Sequence, residues 1–175
     1  CTALQSMIIP DSANSIGANA FNESGLTNLY VSSSNGLGLS EGSQTISGKS
    51  GVTVSFVTGF TKTDGASILI NITGSLESSD YTGTVATTDI KSVNIGTSVT
   101  SISNSSFFGC SSLETVTIGN SVTSIGNMAF LECGTLHSVN IPKNTNFTTI
   151  GDYAFNRCTA LQSMIIPDSA NSIGA

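Results

Sequence analysis

The chain has 175 residues, 5 basic and 11 acidic side chains and a net charge of −6. Charged residues are 9%, far below the roughly 25% of an average soluble domain, and apolar residues are 38%, so the composition is not that of a disordered chain. Five scattered cations give no electrostatic footprint for nucleic acid, and no apolar run approaches the ~18 residues of a membrane helix.

Self-comparison is the first pass, because a missed repeat miscasts the whole fold. In chain order, the first unit reads Cys1, Leu4, Met7, Ile9-Pro10, Ala13, Ile16-Gly17, Ala20-Phe21. The pattern starts again at Leu26, Leu29 and Val31, one residue out of step, and then fails. Residues 33–86 have a different grammar. Asn35-Gly36-Leu37-Gly38 reads as a turn or linker. Val52, Val54 and Phe56 alternate with Thr53, Ser55 and Val57, as in a strand. Thr63-Asp64-Gly65 is a hairpin signal, and Ile68, Ile70 and Ile72 follow with strand alternation. Tyr81–Thr87 reads as a further strand. This segment is expected to be a small β-rich insertion, either a projecting module or a decorated loop packed on the flank.

From Thr87 the repeat resumes with Ile90, Val93, Ile95, Val99, Ile102 and Phe107, a unit without its first cysteine. Next come Cys110, Leu113, Val116, Ile118, Val122, Ile125-Gly126 and Ala129-Phe130. Then come Cys133, Leu136, Val139, Ile141-Pro142, Phe147, Ile150-Gly151 and Ala154-Phe155, and then Cys158, Leu161, Met164, Ile166-Pro167, Ala170 and Ile173-Gly174. Cysteine spacings are 23 and 25 residues, the longer unit carrying two extra residues around 144–148. Within a unit, Val116 and Ile118 alternate with Thr115 and Thr117, a strand with one buried face. Pro or Gly ends it (Pro10, Gly119, Pro142). The step from Val122 to Ile125 is a second short strand, and Ala129-Phe130 to Cys133 is a turn with Phe and Cys inward. No unit buries its apolar side alone. Stacking puts Leu on Leu, Ile on Ile and Phe on Phe.

The pattern C-x-x-L-x-x-V-x-I-P…V-x-x-I-G-x-x-A-F-x-x-C resembles the BspA-type leucine-rich repeat. Departures are Ser24 and Thr87 at the cysteine position and Ser103 at the glycine position. The resemblance implies a mainly β, right-handed leucine-rich-repeat solenoid of ~23-residue turns. It also implies a secreted or cell-surface protein concerned with adhesion or surface display, with no shared catalytic residues. The expected organisation is repeat turns over 1–32, the β-rich insertion over 33–86 and repeat turns over 87–175.

Residues 1–18 and 158–175 both read CTALQSMIIPDSANSIGA, identical at all 18 positions. Residues 1–18 match the unit at Cys110 at only seven. Framework positions account for seven matches but not for the recurrence of Gln5, Met7, Asp11 and Asn14. The offset from Cys1 to Cys158 defines a super-repeat of 157 residues, with 158–175 beginning its next copy.

Candidate chemical groups are few. Cys1, Cys110, Cys133 and Cys158 occupy one repeat position and lack the short pairs of zinc sites. Buried thiols acting as small apolar residues and a bridge between turns stay open, the first favoured because parallel stacked side chains suit a disulfide poorly. His137 is expected outward and solvated. Glu23, Glu77 and Asp80 have no paired spacing. No catalytic, cofactor or metal site is expected, and the chain is not expected to be an enzyme. Asn22, Asn71, Asn104 and Asn146 head N-x-S/T sequons and are candidate N-glycosylation sites, Asn71 with the least clear exposure. Their number is what 15 Asn with 52 Ser and Thr give by chance.

The expected function is therefore structural: the repeating unit of an extracellular filament or surface appendage, associating head-to-tail or by covalent continuation, without nucleic acid or membrane insertion. The alternative is a secreted or cell-surface adhesin that binds a ligand. The outward strand positions are mainly Thr, Ser, Asn, Gln and His, with few of the aromatic anchors that a binding face uses.

Overall fold

The computed structural model describes residues 2–9, 15–32, 37, 39, 42–46, 49–143 and 146–175. Cys1, Pro10, Ala13 and most of the Asn35–Gly38 turn lie outside them. The strands are β1 (Ser6–Ile9), β2 (Asn28–Ser32), β3 (Gly42–Ile46), β4 (Lys49–Lys62), β5 (Ser67–Ile70), β6 (Gly74–Leu76), β7 (Ile90–Asn94), β8 (Val99–Ile102), β9 (Thr115–Thr117), β10 (Ser124–Ile125), β11 (Ser138–Asn140), β12 (Thr149–Ile150) and β13 (Ser172–Ile173). Among the described residues there is no α-helix.

The strands form two sheets, to both of which each repeat unit between 87 and 157 contributes one strand; among the described residues 1–32 supply only β1 and β2, and 158–175 only β13. The larger runs β1-β2-β4-β7-β9-β11, with β3 and β5 added on β4. The smaller runs β13-β12-β10-β8-β6. Successive units pair in parallel and in phase: Val93 with Val116 and Val116 with Val139 in the first sheet, Ile102 with Ile125 and Ile125 with Ile150 in the second. This makes a mainly β solenoid, with its core formed by repeat positions. Ile90, Leu113 and Leu136 are fully buried, as are Phe107 and Phe130. Gly126 and Gly151 end the second strand where turns come closest. A Cβ at either would lie 2.6 Å from the backbone N of Asn104 or Asn127 in the preceding turn, so a larger residue would force the turns apart.

Residues flanking each phenylalanine bend the chain. Ser105, Met128 and Tyr153 stand two residues before Phe107, Phe130 and Phe155; Gly109, Glu132 and Arg157 stand two after. All six have φ between 55° and 68°. Asn19 and Glu23 do the same around Phe21. Only Gly109 adopts this left-handed conformation without steric cost.

β4 is the departure from regularity. On one edge Thr53–Val57 pair in parallel with Asn28–Ser32. On the other, Gly59–Lys62 pair antiparallel with Ile90–Asn94. The first-sheet strands therefore reverse direction across β4. The Asp64-Gly65 turn closes a hairpin from β4 to β5: Gly65 N–H donates to the Lys62 carbonyl and Lys62 N–H to the Ala66 carbonyl. Gly65 has φ 86°, which favours glycine there. At Val57–Phe60 four consecutive residues are buried, because β4 is covered on both faces there.

Two expectations are corrected. Tyr81–Thr87 is not a strand. Ser78–Asp80 and Thr87–Asp89 are 3₁₀ turns with Tyr81–Thr84 turning between them. Tyr81 lies in the phenylalanine column instead, with its ring centroid 5.0 Å from Phe60 and 5.4 Å from Phe107. Burial of that ring outweighs the strand propensity of its neighbours. Second, the Ile118/Ile141/Ile166 ladder is buried at Ile118 and Ile141 but 36% exposed at Ile166, and Leu161 is half-buried. The described residues include no turn beyond it.

Candidate interaction surface at the last turn

Three side-chain columns hold the turns together. The first is aromatic: Phe60, Tyr81, Phe107, Phe130 and Phe155, spaced 5.0–5.4 Å, with the planes of the last three nearly parallel, 4° apart. The second is the cysteine column. Cys110, Cys133 and Cys158 are buried free thiols. Cys133 Sγ donates to the Phe107 carbonyl and Cys158 Sγ to the Phe130 carbonyl, each at 3.1 Å. The hydrogen bond to Cys110, then burial, push the Cys133 thiol well above its usual range. Burial pushes Cys158 and Tyr81 up as well. Cys133 and Cys158, buried and donating to carbonyls, act as small apolar residues; the hydrogen bond from Cys133 lowers the Cys110 thiol instead. The Tyr81 hydroxyl donates to the Ser106 carbonyl at 2.5 Å. Ser106, at the alanine position of its unit, donates to the Leu76 carbonyl at 2.7 Å.

The third column is polar. Asn104 Oδ1 accepts the Asn127 N–H at 2.8 Å, Asn127 Oδ1 the Asp152 N–H at 2.9 Å and Asp152 Oδ1 the Ala175 N–H at 3.2 Å. Each side chain satisfies a backbone donor of the following turn.

The sequons divide by their hydroxyl residue. Ser24, following Asn22, is buried and donates to the Phe21 carbonyl at 2.6 Å. Ser106, following Asn104, is fully buried. Thr148, following Asn146, is half-buried and donates to the Thr123 carbonyl at 3.4 Å. Asn71 and Thr73 are both exposed, so the sequon of least clear exposure has the most open surroundings. His137 is exposed. Glu77 N–H donates to Asp80 Oδ2 at 2.8 Å, a local turn contact. Among the described residues, no group of three His, Cys, Asp or Glu side chains is placed to hold a metal ion, and no helix is long and apolar enough to cross a membrane.

The last turn presents the apolar surface. Ile165 is 73% and Ile173 59% exposed, beside exposed Tyr153. Two hollows flank it. One, of about 250 Å³, lies among Tyr153, Phe155, Met164, Ile166 and Ile173. The other, of about 420 Å³, separates β11 from Ser163, Met164 and Ile165. The turn is anchored at both ends: Ala160 N–H donates to the Gly134 carbonyl at 3.2 Å, and β13 pairs with β12. Between these anchors Ser163–Ile166 is not a strand.

The BspA-type leucine-rich repeat region matches in six copies, over residues 1–39 and 82–175. The chain belongs to that family. As a BspA-type repeat protein it is 32% identical to the leucine-rich repeat protein of T. pallidum, over 44% of this chain and 35% of that one, with a TM-score of 0.42. It is 20% identical to the pneumococcal vaccine antigen PcpA over 97% of this chain and 35% of that one, with a TM-score of 0.50, a likeness of fold. A leucine-rich cell surface protein from Faecalibacterium prausnitzii is 24% identical over 94% of this chain and 39% of that one, with a TM-score of 0.40. The BspA-type chain thus spans little more than a third of the length of each of these structures. No curated protein matches it.

Proposed function

We propose that this BspA-type chain is a structural repeat of an extracellular or cell-surface array, in which 157-residue periods stack along one solenoid axis. The observation that supports it is the identical 18-residue sequence in two settings. At residues 1–18 it is followed by a turn whose β2 covers β1. At 158–175 the same residues open a second copy of the period, stacked on the preceding turn through β13 and β12. A contact that repeats without closing builds a fibre. The outward face of the first sheet at β9 and β11 supports this reading over a gripping adhesin: Thr115, Thr117, His137, Ser138 and Asn140 are small or polar, with no aromatic anchor among them. A non-enzymatic, surface-displayed role also accords with the resemblance that the repeat carries.

Six first-sheet strands per period at ~4.8 Å each give an axial repeat of roughly 29 Å. Electron microscopy and sedimentation of the concentrated protein test the proposal. End-to-end particles with that repeat are expected. Monodisperse single particles at every concentration would refute it.

A further inference from the structure

We propose that the second sheet carries a binding site for a neutral saccharide, at the corner beyond β6 and β8. The site is a hollow of about 550 Å³ lined by Glu77, Ser78, Ser101, Ser103, Asn104 and Ser124, a volume in the range of small-ligand sites. It lies in the middle of the chain and does not depend on how the turns stack beyond it.

The hollow exists because one turn leaves the solenoid path. In the three later turns the residue after the second-strand isoleucine is Gly126, Gly151 or Gly174, and a Cβ there would meet a backbone N of the turn before. Ser103 stands at the same position in its own turn. The pairing of Leu76 with Ile102 aligns Glu77 with Ser103 and Ser78 with Asn104. Instead of following the corner, the chain enters a 3₁₀ turn at Ser78–Asp80, which leaves Ser103 room for a side chain. The corner itself does not require that side chain, since glycine serves in the three turns that follow. The same departure interrupts the polar column. The Asn127 and Asp152 N–H groups are each satisfied by the side chain one turn before. Asn104 N–H holds the corresponding position, but Ser78 does not bond to it, and it has no acceptor among the described residues.

The groups around the hollow combine both polarities. Asn104 Oδ1 is taken by the Asn127 N–H, so the amide NH₂ is left to donate beside the Asn104 N–H. The exposed Glu77 carboxylate accepts. Ser101 Oγ lies 2.7 Å from Ser75 Oγ, and the hydroxyls of Ser78, Ser103 and Ser124 are free to donate or accept. A fitting ligand offers donors and acceptors on neighbouring atoms. The adjacent hydroxyls of a sugar ring do so, each able to donate and to accept. An anionic ligand would meet Glu77 with like charge. A simple cation or an apolar ligand would leave the Asn104 donors unmatched. Parallel pairing of β8 with β6 and β10 holds the lining groups in place, which lowers the ordering cost of binding.

The test is titration of the full chain with cellobiose, maltose, lactose and diacetylchitobiose, followed by amide nuclear magnetic resonance, with digalacturonate as the acidic counterpart. The expected result is saturable shifts at the Ser103, Asn104 and Ser124 amides with at least one neutral disaccharide, in the millimolar range, and none at Thr117 or Asn140 on the first sheet. Digalacturonate should leave all of them unmoved. Ser103→Gly installs the residue of the later turns and should weaken binding by about three- to tenfold. Ser78→Asn supplies the missing acceptor to the Asn104 N–H, fills the hollow and should abolish the shifts. No saturable shift with any of the four neutral disaccharides overturns the proposal. So do shifts that survive Ser78→Asn, shifts that spread equally over the first sheet, and preferential binding of digalacturonate.

Discussion

Phe130 is the most informative single residue to perturb. Its ring is fully buried, between Phe107 at 5.1 Å and Phe155 at 5.2 Å. Removing a buried phenylalanine ring costs about 3–5 kcal/mol, with the upper values where the cavity cannot collapse. Collapse is hindered here, because the turns on either side are fixed by backbone bonds from Phe107 N–H to the Ala129 carbonyl at 2.7 Å and from Phe130 N–H to the Ala154 carbonyl at 2.8 Å. Two ring pairs at ~0.5–1.5 kcal/mol each lie within that total. Phe155 stacks on Phe130 and is half-buried. Phe155→Ala should therefore cost about half as much as Phe130→Ala. Urea unfolding followed by far-ultraviolet circular dichroism measures both, provided that the slope m is unchanged. Equal costs for the two variants would refute the argument that a turn is held by neighbours on both sides.

Further outcomes follow from the other columns. Asn127→Ala leaves the Asp152 N–H without its acceptor and should lower stability by about 1–2 kcal/mol, read as a shift in urea midpoint; Asn127→Asp should retain most of it. Gly109 has φ 68° and open space where a Cβ would stand, so Gly109→Ala should cost about 1 kcal/mol from backbone strain alone; Met128→Gly, at φ 57°, should shift the midpoint the other way. The Ala66 N–H and the Lys62 ammonium hold the Asp64 carboxyl below its usual range. A carboxylate so lowered adds stability above its unfolded pKa and loses it as pH falls through the folded one, so amide exchange at Ala66 should accelerate on acidification, and in Asp64→Ala should be fast at neutral pH already. An N-glycosyltransferase acting on the folded chain should modify Asn71 ahead of Asn22, Asn104 and Asn146; glycopeptide mass spectrometry showing equal occupancy at Asn104 would contradict that order.

The regular part of the fold was legible because a solenoid maps each motif position to one place in space. Leu113, Val116, Ile125, Phe130 and Cys133 repeat in phase, and stacking in phase buries all of them. The insertion has no such second copy to compare. β4 pairs with β2 on one edge and β7 on the other, and such long-range choices leave no local trace in Lys49–Lys62 beyond strand alternation. Tyr81 was hidden by its surroundings, although its spacing of 26 residues from Phe107 lies near the 23 and 25 that separate the later phenylalanines. The left-handed residues were hidden because Ser105, Met128 and Tyr153 share a conformation but no chemistry. Ile165 stands at the outward position between the two apolar residues of its motif, as Ile8 does, and both are exposed; the exposure of Ile166 and Ile173 could not be read from the repeat pattern, since that pattern assigns a residue to the core without saying whether its neighbour is present.

The two copies of Ser-Met-Ile-Ile turn that last distinction into a measurement. Intrinsic exchange of a backbone amide depends on local sequence, and local sequence is the same at 6–9 and 163–166. Any difference in protection between matched amides therefore reports the neighbour alone, free of propensity. β1 has β2 beside it, whereas Ser163–Ile166 is separated from β11 by an open cleft. In dilute protein, nuclear magnetic resonance should show slower exchange in 6–9 by about tenfold or more, a difference of at least ~1.4 kcal/mol in opening free energy. The protected members should be the amides directed at β2, since alternate residues of a strand face that edge. Equal protection in dilute solution would mean that the turn is held by its own sequence. Neighbours would then not decide its conformation.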